Sequence, residues 1–137
     1  MEKFAGARKN PDRFKRGKEQ LARMKGGEVE DMIADYAEIA PDLGRYTIEF
    51  PYGDILGRPG LDLRSRQIAT VAALTALANA VPQLKAHIDM ALNVGCTRKE
   101  IVEVIIQMAV YAGFPASLNG MAAAKEVFAM RDEKGIQ

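Results

Sequence analysis

Few side chains in this 137-residue sequence could move a proton or hold an anion near neutral pH, and they fall at helical spacings. His87 is the only histidine, and it alone has an ordinary pKa near neutrality. It flanks Leu84, Ile88 and Ala91, a stripe at helical spacing, which predicts a place at the edge of a core. There it is either a histidine satisfied by one hydrogen bond or a general acid/base facing a pocket. Arg64 and Arg66 fall in the first turns of a helix predicted from Leu63, where the helix dipole disfavours cations by roughly a few tenths of a kcal/mol. Their charge is either solvated and offset by Asp62, or it holds a substrate carboxylate. Glu103, Gln107 and Tyr111 recur every fourth residue and form the one polar row on an otherwise apolar helix. Such a row lines a pocket or hydrogen-bonds across an interface. Cys96, beside Gly95 in a turn, is more readily incidental than nucleophilic.

The elements that must position these groups carry helical punctuation nearly throughout. Pro11 to Lys25 is charged, with Phe14, Leu21 and Met24 as apolar anchors, and Gly26-Gly27 breaks it. Val29, Met32, Ile33 and Tyr36 make one stripe over 28–40. The helical pattern continues over 42–56, with a kink or a lost turn expected at Pro51. Asp62 is the expected N-cap of a helix over 63–79. Pro82 opens the helix that carries His87 and runs to Asn93, and Gly95 supplies a left-handed stop. Thr97-Arg98-Lys99-Glu100 has the form of a capping box for a helix ending near Ala112. Gly113 and Pro115 then separate it from a last helix to about Arg131. No useful period-2 alternation occurs, so the fold class is all-α, of about six helices.

Composition narrows the chemistry further. At 48% hydrophobic and 27% charged residues the chain should bury a core, as a single domain over 1–137. One cysteine allows no internal disulfide, and one histidine leaves no His/Cys cluster for structural zinc. Residues 1–26 hold nine Lys/Arg against three Asp/Glu, while the remainder holds ten against fifteen. This basic helical arm lacks the interleaved aromatics of a nucleic-acid binder, so a solvated arm or one docked on an acidic neighbour is expected. The first residues lack the apolar stretch of a secretory leader, and the apolar run over 68–81 is too short to span a bilayer. No membrane partner and a cytoplasmic location are the expectations. The capped helix has Ile101, Val102, Val104, Ile105, Ile106, Met108, Ala109 and Val110 around nearly its whole circumference. Either it is the central helix of a monomer, or a second subunit covers its far face.

Taken in order, these residues resemble the carboxymuconolactone decarboxylase family, within the superfamily of the AhpD-type alkylhydroperoxidases. The resemblance is carried by Phe50-Pro-Tyr-Gly53, Arg58-Pro-Gly-Leu61, Arg64-Ser-Arg66 and His87. It continues through Gly95-Cys-Thr-Arg-Lys-Glu-Ile101 and the run from Val110 to Asn119, and Arg16-Gly17 extends it to the N-terminal arm. The hydroperoxidase branch uses a Cys-x-x-Cys four residues before the histidine. Those sites are Ala80 and Gln83 here, and the glutamate that assists the thiols corresponds to Gln67. Without a thiol pair the peroxide mechanism is missing. The decarboxylase branch implies loss of CO2 from a γ-carboxylated lactone to an enol-lactone, with no cofactor and no metal. By that resemblance His87 is the proton donor and Arg66, with Arg64, the carboxylate clamp. Glu103, Gln107, Tyr111 and Asn119 are then the substrate-binding polar groups. Two departures bear on the substrate: Gln107 stands where such decarboxylases often have His, and Tyr52-Gly53 replaces Trp-Gly. The resemblance also implies a homo-oligomer, a hexamer or trimer with sites between subunits. An alkylhydroperoxidase and a non-catalytic binding member are the alternatives.

Overall fold

The computed structural model describes residues 12–26, 34 and 36–137, which fall into two compact units, one up to Gly60 and one from Leu61. Every regular element among the described residues is helical.

In the first unit, α1 (Arg13–Lys25) buries Gly17, Leu21 and Met24 and ends on Gly26, whose left-handed conformation lets its N–H reach Ala22 O. The stripe expected over 28–40 lies largely outside the described residues. Of it, Tyr36 to Ile39 form a turn, with Tyr36 exposed. α2 (Pro41–Ile48) runs without interruption into a π-helical segment, Glu49–Leu56. Pro51 therefore does not end the helical run, which continues through it in the wider π form. It cannot donate to the carbonyl four residues back, and its ring crowds that oxygen; the wider π turn accommodates both defects. Two glycines bring α1 close to this segment. A Cβ on Gly17 would press on the Ile48 carbonyl, and one on Gly53 would sit 2.6 Å from Arg13 O. Arg13 Nε donates to Asp54 across the same seam at 2.9 Å.

The second unit is built from α3 (Leu63–Leu77), α4 (Val81–Asn93), α5 (Arg98–Ala112) and α6 (Phe114–Glu133). Its helix ends follow local chemistry. Asp62 accepts from Ser65 N–H at 2.8 Å, and Thr97 with Glu100 closes a reciprocal capping box. Gly95 and Gly113 turn the chain at φ +101° and +88°. α3 stops two residues earlier than the spacing predicts, because Ala78 adopts a left-handed conformation at φ 62°.

α3 and α6 pack on each other, and each packs on both α4 and α5, which barely touch one another. α6 approaches closely because its inward face is small: Ala116, Ser117, Gly120, Ala123 and Ala124. The core gathers Val71, Leu84, Ile88, Ala91, Cys96, Ile101, Ile105 and Val127. At the far end of α6, buried Arg131 donates to Asp89, to Asn93 Oδ1 at 2.9 Å and to the Gln137 carbonyl.

The apolar helix α5 is not central within the chain. Only Ile101 and Ile105 are fully buried, whereas Ile106 is 50% and Val110 76% exposed. One face meets α3 and α6, and among the described residues of this unit no helix covers the other. The row Glu103, Gln107, Tyr111 is therefore solvent-exposed rather than buried.

Candidate active site

α3 presents an inward row at four-residue spacing, Gln67, Val71 and Thr75, each essentially without exposure. Two of the three suit a core. Gln67 does not, since an amide brought out of water needs hydrogen-bond partners. It finds one on α4: Gln67 Oε1 lies 3.1 Å from Nδ1 of His87. Its Nε2 has no hydrogen-bond partner among the described residues. His87 is half-buried beside Leu84, Ile88 and Ala91, at the edge of the core as its spacing predicts.

The electrostatics at His87 are simple. Burial pushes the imidazole below its ordinary pKa, and it is the one resolved cause of the shift. The ring is consequently neutral at neutral pH. With the amide oxygen of Gln67 turned to the ring, the nitrogen facing it is the donor in the Nδ1–H tautomer, which leaves a lone pair on Nε2. Such a ring carries no proton on Nε2 at neutral pH, so Nε2 acts first as a base and donates only the proton it has just taken up.

The two arginines have separate surroundings. Arg64 pairs with Glu100 and donates to Gly95 O at 3.4 Å, tying the start of α3 to the start of α5. Glu100 meanwhile accepts from Thr97 N–H at 2.8 Å, and that bond and Arg64 hold its carboxyl below the usual range. Arg64, the second cation expected in the clamp beside Arg66, is thus already matched by a carboxylate of its own chain. Arg66 is half-buried, with Nε donating to the Leu61 carbonyl at 3.1 Å. Cys96 is buried against the Arg64 carbonyl, and burial raises its thiol pKa, the opposite of activation. Among the described residues no group of three His, Cys, Asp or Glu side chains could hold a metal ion, and no helix is long and apolar enough to cross a membrane.

Of the residues singled out from the sequence, the structure thus places His87 beside a group it can bond, and that group is Gln67. Glu103, Gln107 and Tyr111 lie on α5, which barely meets α4, and Asn119 is exposed on α6. Gln67 was visible in sequence only as the counterpart of a glutamate. Its position on the inward row of α3 is the signal that marks it, because a core glutamine must be answered from another helix.

Residues 41–126 match the family described as the Carboxymuconolactone decarboxylase family, more than half of the chain. The chain belongs to the carboxymuconolactone decarboxylase family. That match takes in Arg64, Arg66, Gln67, His87, the α5 row and Asn119 alike. Among relatives, the 4-carboxymuconolactone decarboxylase of Acinetobacter baylyi is 32% identical over 117 residues, covering 85% of this chain and 87% of its own. An uncharacterized 15.0 kDa protein in the nqo9-nqo10 intergenic region of Paracoccus denitrificans is 35% identical, covering 71% of this chain and 73% of its own. The nitrosuccinic acid decarboxylase npaB of Metarhizium robertsii is 31% identical over 64% of this chain and 60% of its own. This family member keeps its one histidine on the edge of the core and its one thiol buried.

Proposed function

We propose that this protein is a cofactor-free decarboxylase of small carboxylated lactones, of the 4-carboxymuconolactone type, yielding an enol-lactone and CO2. The observation that carries the reading is the neutral, half-buried His87 with its Nδ1 bonded to Gln67 and Nε2 left to exchange a proton. Two relatives with decarboxylase names support it. In the reaction the bond from the carboxylate carbon to the ring breaks, and its electron pair passes into the conjugated lactone as an enolate. CO2 leaves, and one proton is added to carbon. His87 collects that proton from solvent and delivers it. Arg66 is the cation assigned to hold the carboxylate before it departs, and Arg64 joins it only if Glu100 releases it.

The exposed row Glu103, Gln107 and Tyr111, with Asn119, contributes to substrate binding in a site completed by a second subunit. The exposed apolar residues Ile106 and Val110 of α5 support this, and the family resemblance implies a homo-oligomer, trimer or hexamer. A cytoplasmic location accords with the single buried thiol.

Incubation with 4-carboxymuconolactone, following enol-lactone and released CO2, tests the reading, with nitrosuccinate as a second acid. Turnover that falls about 10²–10⁴-fold in His87→Ala is expected. No turnover of either acid by the wild type would remove the reaction, and unchanged turnover in His87→Ala would remove the residue. Cys96→Ser should leave the activity intact; peroxide reduction lost in that variant would favour the redox class instead.

A further inference from the structure

Gln67 fills a place in the core for which it is poorly suited. It has no exposed surface, its neighbours along α3 are Val71 and Thr75, and its Nε2 is buried without a hydrogen-bond partner among the described residues. A leucine would fill the same volume and leave no amide group unmatched. What a leucine would lose is the 3.1 Å bond to His87 Nδ1.

We infer that Gln67 is a positioning residue whose amide oxygen fixes the His87 ring in the Nδ1–H tautomer, so that Nε2 is the nitrogen that takes up and releases the proton. Two features make it suited to this. Gln67 lies on the fully buried face of α3, where close packing restricts the rotamers open to its side chain. Its side chain is also uncharged, so it orients the imidazole without stabilising the imidazolium, which a carboxylate would do. The amide therefore sets the tautomer and leaves Nε2 free to take up a proton and pass it on. The catalytic part of this inference rests on the decarboxylase reading; the tautomer does not.

The single histidine makes the test direct, because every imidazole signal belongs to His87. Long-range 1H–15N NMR of the intact 15N-labelled protein should show the wild-type ring as the Nδ1–H tautomer. Gln67→Leu should move it to a mixture or to Nε2–H, and should melt no lower than wild type. Gln67→Glu keeps the acceptor and the volume, so it should keep Nδ1–H while raising the imidazole pKa. With 4-carboxymuconolactone, Gln67→Leu should lower kcat tenfold or more with KM changed less than threefold. A wild-type ring that is Nε2–H, or a tautomer unmoved in Gln67→Leu, overturns the inference. A switched tautomer with unchanged kcat overturns the catalytic role alone. A tautomer that behaves as stated in a wild-type protein that turns over neither acid sustains the positioning and refutes the decarboxylase.

Discussion

Adding one methyl group at Gly120 tests how tightly α3, α5 and α6 are drawn together. A Cβ there would lie 2.8 Å from Thr75 Cγ2, 3.2 Å from Ile105 Cγ2 and 3.3 Å from Thr75 Oγ1. Alanine in place of a helical glycine gains about 1 kcal/mol in propensity. Overpacking a well-filled core costs about 1–3 kcal/mol. The upper end applies here, because both γ atoms of Thr75 face the site and rotation cannot clear them. Oγ1 is moreover held to Val71 O at 2.7 Å. With a cost of about 3 kcal/mol, Gly120→Ala should lose about 2 kcal/mol net. Urea unfolding at fixed protein concentration, followed by far-UV circular dichroism, reads this as a lower midpoint at unchanged slope. Thr75→Ala removes two of the three crowding atoms and leaves only Ile105 Cγ2 at 3.2 Å, so adding Gly120→Ala to that background should be close to neutral. The coupling between the two sites is then about 1.5–2 kcal/mol. A Gly120→Ala protein as stable as wild type, or a penalty undiminished in the Thr75→Ala background, would refute this account of how the helices meet.

Three further outcomes follow from the same structure. Thr97→Ala removes the capping hydroxyl of α5 and should cost about 1 kcal/mol in urea unfolding. Arg131→Ala leaves Asp89 and Asn93 without their shared donor and unties the Gln137 carbonyl; a loss of about 2–4 kcal/mol is expected, and one below about 1 kcal/mol would show the cage to be ornamental. His87 has a folded pKa below its ordinary 6.5, so between those two values the unfolded chain binds more protons than the folded one. Its contribution to stability is therefore complete above 6.5 and is lost as pH falls from 6.5 to the depressed folded value, with a slope of at most about 1.4 kcal/mol per pH unit. Unfolding midpoints measured in steps down from pH 7.5 should show that decline in wild type and a shallower one in His87→Asn.

The features legible in the sequence are those decided within about four residues. Asp62 and the Thr97–Glu100 pair mark helix starts because the side chain that satisfies the free N–H groups sits three positions away. Gly95 and Gly113 mark stops because their backbones turn where other residues are strained. The stripe Leu84, Ile88, Ala91 placed His87 at the core edge because helical spacing is a property of the chain itself. Family membership was legible for the same reason, since its motifs are short runs in a fixed order. Proline chemistry was visible at Pro51, but whether the chain would kink or widen depended on a close seam with α1 made by Gly17 and Gly53.

Tertiary structure decided the rest, and the reason is distance along the chain. Gln67 meets His87 across 20 residues and Arg64 meets Glu100 across 36, so each pair exists only because of the way α3 packs on α4 and on α5. Without that packing, Gln67 is one more polar residue and Arg64 a free cation. The apolar circumference of α5 likewise called for a cover on every side, from its own chain or from a second subunit, whereas the packing of its unit covers one face and leaves Glu103, Gln107 and Tyr111 exposed. Sequence fixed which groups could do chemistry; helix packing fixed which nitrogen of His87 has a partner and which arginine is already paired.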